Sequence, residues 1–175
     1  MIQIKTIITA LLGLTIATCT PIEQRSAATV LTDLATIGTD LSTLTAAVEA
    51  YTGGLTEALT IATDESTLDT AINQATTDAT AASDFSTSDS TSVVAAVASL
   101  TPQITSGLSA LTAKESLFAA SDLASLVLSL LQTLQTDTDA LGAALQAKAQ
   151  STDVATLETY QTEIDAAFAS TIAAY

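Results

Sequence analysis

Histidine and tryptophan are absent from this 175-residue chain, and cysteine occurs once. Without histidine there is no general base for a serine- or cysteine-centred triad, and the commonest transition-metal ligand is missing. One cysteine excludes a disulfide framework and a cysteine-rich zinc site. Positive charge is scarce too: four Lys and Arg stand against nineteen Asp and Glu, a formal net charge of −15. A surface of that sign does not neutralise nucleic-acid phosphates, so no nucleic-acid partner is expected. Glycine (6), proline (2) and aromatics (3 %) are all sparse, yet hydrophobic residues reach 48 %. Alanine is the largest part of that share, with 34 Ala beside 33 Thr. A mean hydropathy of +0.46 does not suit a disordered tail. One helical domain is the natural expectation at this length.

The N-terminus reads as a targeting segment. Lys5 is the only charge before Glu23, and an apolar run from Thr6 to Ala17 follows it. That run is too short to span a bilayer and matches the h-region of a secretory signal peptide. Small residues at Ala17 and Cys19 place cleavage after Cys19, so residues 1–19 are assigned as signal peptide. Losing Lys5 with it takes the net charge from −15 to −16. The expected product is secreted and extracellular, or wall-associated, with no transmembrane segment in the mature chain. Residues 20–27 read as a flexible lead-in and residues 28–175 as the folded domain.

From there the apolar spacing is helical. Val30, Leu34, Ile37, Leu41, Leu44, Val48 and Tyr51 recur at intervals of three and four and share one stripe. Gly53-Gly54 ends that helix. Leu55, Leu59 and Ile61 suggest a short continuation, with a break at Asp64-Glu65-Ser66. A second stripe runs from Leu68 through Ile72 to Ala82, and Ser83 to Ser92 reads as a polar loop. The third stripe carries Val93, Val97, Leu100, Ile104, Leu108 and Leu111, with Pro102 expected to kink or split it. The fourth, from about Ser121-Asp122, carries Leu123, Val127, Leu130, Leu131, Leu134, Leu141 and Leu145. The fifth, capped by Thr152-Asp153, carries Leu157, Tyr160, Ile164, Phe168 and Tyr175. Strand signals are nearly absent. The fold class is therefore all-α, a single-domain antiparallel bundle of about five helices; the competing architecture is an extended coiled coil.

Chemistry-bearing motifs are few. Asp64/Glu65 and Asp137/Asp139 are paired acids, but Asp137-Thr138-Asp139 lacks the glycine and terminal glutamate of a calcium loop. They read as solvated surface. Lys114 and Lys148 read as helix-end residues. No phosphate loop or dinucleotide fingerprint is present, so no cofactor, metal or catalytic residue is assigned. The stripes themselves are the informative feature. They either close into a filled core or surround an aliphatic void, the usual site of an apolar ligand. The candidate lining is Leu44, Val48, Leu59, Ile72, Val97, Leu100, Ile104 and Leu108, then Val127, Leu130, Leu134, Leu141, Leu145, Ile164 and Phe168. Hydroxyls on or beside the stripes, at Thr138, Thr171, Thr76 and Ser83, are head-group candidates. The competing role for each is a bond to the carbonyl one turn back.

Four segments carry a resemblance: Val48-Glu49-Ala50-Tyr51-Thr52-Gly53-Gly54; Leu100-Thr101-Pro102-Gln103-Ile104 with Leu108, Leu111, Lys114 and Phe118; Thr138-Asp139-Ala140-Leu141 with Leu145 and Lys148; and Ile164-Asp165-Ala166-Ala167-Phe168 with Tyr175. In this order they resemble fungal hydrophobic surface-binding protein A and the related cell-wall galactomannoprotein (Mp1p-like) lipid-binding domains, over about residues 28–175. The resemblance implies a secreted five-helix domain with an apolar central cavity, and binding of fatty acids or hydrophobic surfaces. The expectation is a non-enzymatic binder of fatty acids or similar long-chain apolar ligands, held inside the bundle. The alternatives are a protein that adsorbs to hydrophobic solids and recruits a secreted hydrolase, and an inert structural wall protein.

Overall fold

The computed structural model describes residues 26–175, so the signal-peptide assignment and residues 20–25 of the lead-in lie outside it. Five helices follow in order: α1 (Ala27–Ala50), α2 (Leu55–Ala81), α3 (Thr87–Ala120), α4 (Ala124–Lys148) and α5 (Ser151–Ile172). The first begins within the expected lead-in, because Ser26 caps it by accepting a hydrogen bond from the Thr29 amide.

Short connections make consecutive helices antiparallel. Their packing closes a ring in the order α1, α2, α4, α5, α3 and back to α1, with α4–α5 its sparsest seam. The ring excludes an extended coiled coil. Each helix turns its aliphatic stripe inward: Val30, Leu34, Ile37, Leu41, Leu44 and Val48 of α1 are all buried. The threonines suit helices here because their hydroxyls bond back one turn, as Thr32 does to the Ala28 carbonyl at 2.9 Å and Thr63 to Leu59 at 2.9 Å. α3 is long and apolar enough by composition to cross a bilayer, but it packs between α1 and α5 as a member of the ring.

Several expected breaks do not occur. α2 continues through Asp64-Glu65-Ser66. Ile61, Glu65, Leu68 and Ile72 keep the helical period on the buried face, so a break would expose that stripe. The loop expected over residues 83–92 is confined to 82–86, because Ser86 caps α3 by accepting from the Asp89 amide at 3.2 Å. α3 runs through Pro102. Proline removes one amide donor, but Leu100 is seated against Gly38 of α1 and Thr101 is buried and bonded to the Val97 carbonyl. α4 starts at Ala124, later than Ser121-Asp122, because Asp122 takes a positive φ of 58° in the turn. Gln150, rather than Thr152-Asp153, occupies the cap of α5.

Each end of the ring is closed by bulky or hydrogen-bonded groups. At one end Phe118 stacks on Tyr51 with ring centroids 4.3 Å apart and meets Tyr175 at 6.4 Å. Lys114, within α3 rather than at its end, donates to the Tyr51 carbonyl at 2.9 Å, and the Tyr175 hydroxyl donates to the Leu111 carbonyl at 2.8 Å. At the other end the buried Ser90 hydroxyl donates to Asp153 at 2.6 Å and accepts from the Gln150 amide at 3.0 Å. Buried Phe85 donates its amide to the Lys148 carbonyl at 2.8 Å, and its own carbonyl accepts from the Gln150 side chain.

Candidate functional site

Between these ends the five stripes face an apolar cavity of about 100 Å³. All five helices line it: Leu34, Ile37, Leu41, Leu44 and Val48 from α1; Leu68 and Ile72 from α2; Val97, Leu100, Ile104, Leu108 and Leu111 from α3; Leu131, Leu134, Leu141 and Leu145 from α4; Ile164 and Phe168 from α5. Among the described residues no charged side chain belongs to the lining. Its polar groups are Thr45, Thr138 and Gln161.

Twelve of the fifteen apolar candidates reach this wall. Leu59 does not. It is 61 % exposed, because Ile61 faces inward and two residues back is about 200° around the helix. Val127 is buried but lies in the first turn of α4, outside the lining. Leu130 is only half-buried, since the adjacent Leu131 takes the inward position.

Of the hydroxyl candidates, Thr138 alone lines the cavity. Thr76 bonds back to the Ile72 carbonyl at 2.9 Å. Ser83 is exposed in the α2–α3 connection. Thr171 is buried between α5 and α3, where it accepts from Thr112 at 3.3 Å and donates to the Leu108 carbonyl at 3.4 Å. Thr138 and Thr45 lack the bond to the preceding turn that most helical threonines here make, and neither makes another hydrogen bond among the described residues.

Sequence reasoning missed Thr45, Gly107, Gly142 and Gln161. Each glycine lies opposite a polar lining group on the neighbouring helix. A Cβ at Gly107 would approach the Thr45 hydroxyl to 2.9 Å, and one at Gly142 would collide with the Gln161 amide. The two glycines, sparse elsewhere, were the available signal. Leu34, Ile37, Leu41, Leu68, Leu111 and Leu131 were legible as stripe residues but were not singled out.

The acids do not all behave as solvated surface. Glu65 is buried, and burial together with Asp69 and Asp137 raises its carboxyl pKa. A shared hydrogen bond with Asp137 raises Asp69. Near the cavity wall, desolvation and a hydrogen bond with Asp165 push Asp139 up to about 6. Among the described residues no group of three or more acids or cysteines could hold a metal ion.

Comparison with known proteins adds three findings. The family model of hydrophobic surface binding protein A matches residues 27–147. The fold is similar to the crystal structure of AfMp4p in complex with palmitic acid, with a TM-score of 0.84 and 47 % identity, covering 85 % of this chain and 98 % of that one. It is also similar to ligand-binding domain 1 of the Penicillium marneffei MP1 protein complexed with arachidonic acids, with a TM-score of 0.80, 18 % identity, and coverage of 85 % and 97 %. No curated protein sequence matches the chain.

Proposed function

Because the chain belongs to the hydrophobic surface binding protein A family, we propose that it is a secreted, non-enzymatic carrier of fatty acids or related long-chain lipids. The observation that carries this reading is the aliphatic cavity with no charged lining at the centre of a closed helical ring. The palmitic acid held by AfMp4p supports it. So does the short apolar run behind Lys5, which fits export. The candidate ligand residues are the twelve stripe residues on the wall, with Thr138 beside the head group.

Affinity comes from burying methylenes. Each is worth about 0.8 kcal/mol, roughly a fourfold gain in affinity per carbon until the space is full. A cavity of about 100 Å³ is smaller than the ~150 Å³ space that accepts one benzene ring. A long acyl chain therefore enters as the lining side chains and helices move outward. Titration of a fatty-acid chain-length series tests this, together with Leu108→Trp, which fills the space. Rising affinity with length, abolished by Leu108→Trp in a protein of unchanged circular dichroism, is expected. Affinity independent of length would reject an internal acyl chain.

A second reading, adsorption to hydrophobic surfaces, is favoured by Leu55, Leu59 and Leu126, which are 71 %, 61 % and 50 % exposed. They lie within the first two turns of α2 and the first turn of α4, at one end of the bundle. Adsorption to wax that persists in Leu108→Trp but is lost in Leu55→Ser/Leu59→Ser would assign it to that end.

A further inference from the structure

The cavity wall has one polar group whose chemistry is fully determined by its partners. Gln161 sits on α5 at the sparse α4–α5 seam. Its side-chain nitrogen donates to Asp139 Oδ1 across the seam at 2.7 Å and to Asp165 Oδ1 one turn on at 2.8 Å. Both amide hydrogens are thereby used. Reversing the amide would set its oxygen against two carboxylate oxygens, so the orientation is locked. The remaining function is Oε1, an acceptor. It lies over Gly142, in space that exists because position 142 has no Cβ. Gly142 and Gln161 both belong to the cavity lining, as does Thr138 one turn before Gly142. Among the described residues nothing donates to Gln161 Oε1.

We propose that Gln161 is the head-group residue of this cavity, and that it selects lipids whose polar end donates a hydrogen bond. Such heads are the hydroxyl of a long-chain alcohol or monoglyceride, or the un-ionised carboxyl of a fatty acid. The inference rests on the reading of the cavity as a lipid site and adds the class of head group. An ionised carboxylate only accepts. It would meet the lone pairs of Oε1 with the acids Asp139 and Asp165 directly behind, and only the Thr138 hydroxyl could donate to it. The other charged groups on neighbouring helices bring no cation to this place. On α2, Glu65 and Asp69 face Asp137 on the other flank of α4. On α3, Lys114 is bonded to the Tyr51 carbonyl and Glu115 lies towards Tyr175, at the aromatic end. Lys148 is in the last turn of α4.

A donor and a non-donor of equal length separate head-group choice from chain burial. The probes are a long-chain primary alcohol and the isomeric methyl ether, whose alkyl chain is one carbon shorter, each titrated at neutral pH against the full-length protein and two variants. The wild-type protein should hold the alcohol roughly three- to tenfold more tightly, the value of one neutral hydrogen bond. Gln161→Met keeps the length and removes the acceptor, so the ratio should fall to about one while ether affinity stays nearly constant. Gly142→Ala should do the same by pushing the amide out of its place. Alanine is the better helix former, so this variant keeps the test valid should Gln161→Met fold poorly. Equal binding of alcohol and ether to the wild-type protein, or a preference surviving in both variants, would overturn the head-group role and leave the cavity reading standing. Failure of both probes to bind would overturn the cavity reading and this inference with it.

Discussion

The ends of the bundle and its middle are built from different materials. At the ends, contacts are large and directional: the Tyr51–Phe118–Tyr175 group with its carbonyl bonds at one, the Ser90–Asp153–Gln150 network around Phe85 at the other. In the middle they are small, aliphatic and mostly undirected, around a residual space. Hydrogen bonds and stacked rings demand one geometry. Leucine and isoleucine contacts can be exchanged for others of similar worth as helices shift. Directional contacts are thereby concentrated at the ends of the axis and interchangeable ones in its middle.

Substitutions can break that separation. The largest effect is expected at the aromatic end. Phe118 is 1 % exposed, and Phe118→Ala should cost about 4 kcal/mol in denaturant unfolding. Leu134→Ala, on the wall of the existing space, should cost only about 2 kcal/mol, since fewer contacts are lost there. Equal losses would mean that the middle is packed as rigidly as the end. At the other end, Ser90→Ala leaves Asp153 and the Gln150 amide without their shared partner and should cost about 1.5 kcal/mol, with lipid affinity unchanged.

The smallest effect sharpens the contrast through pH. The Asp139 carboxyl is raised to about 6 in the folded chain, above its value in an unfolded one. The folded state therefore holds the proton more firmly between pH 4 and 6. Stability contributed by this group is present at the acid end and is lost as pH rises through 6. Exposure to water keeps the contribution under about 1 kcal/mol. Thermal melts should show a slight gain on acidification over this range, and Asp139→Asn should remove it. A loss of stability over the same range would contradict the shared proton with Asp165.

Much of the fold was legible because helical period is local. Val30 to Val48 and Leu134 to Leu145 repeat every three or four residues, and that spacing alone chose the buried faces. Thr138 was legible for the same reason. Other features failed for a common cause. Glu65 looked like a break because an acid beside Asp64 and Ser66 resembles a cap; its burial depends on α4 lying alongside. Gln161 had no local signal, because its role depends on Asp139 and Gly142 lying opposite it across the α4–α5 seam.

Composition and periodicity by themselves determined an acidic, all-helical chain with aliphatic inner faces. Those properties follow from backbone geometry and side-chain polarity over a few turns. Tertiary structure alone decided the ring order that sets α4 against α5, the gathering of Tyr51, Phe118 and Tyr175, and which polar groups share the cavity. These contacts join residues from about twenty to about seventy positions apart, from the Gln161–Asp139 bond to the Tyr51–Ser121 bond. A repeat of three and four says which way a side chain faces, but not which helix it will meet.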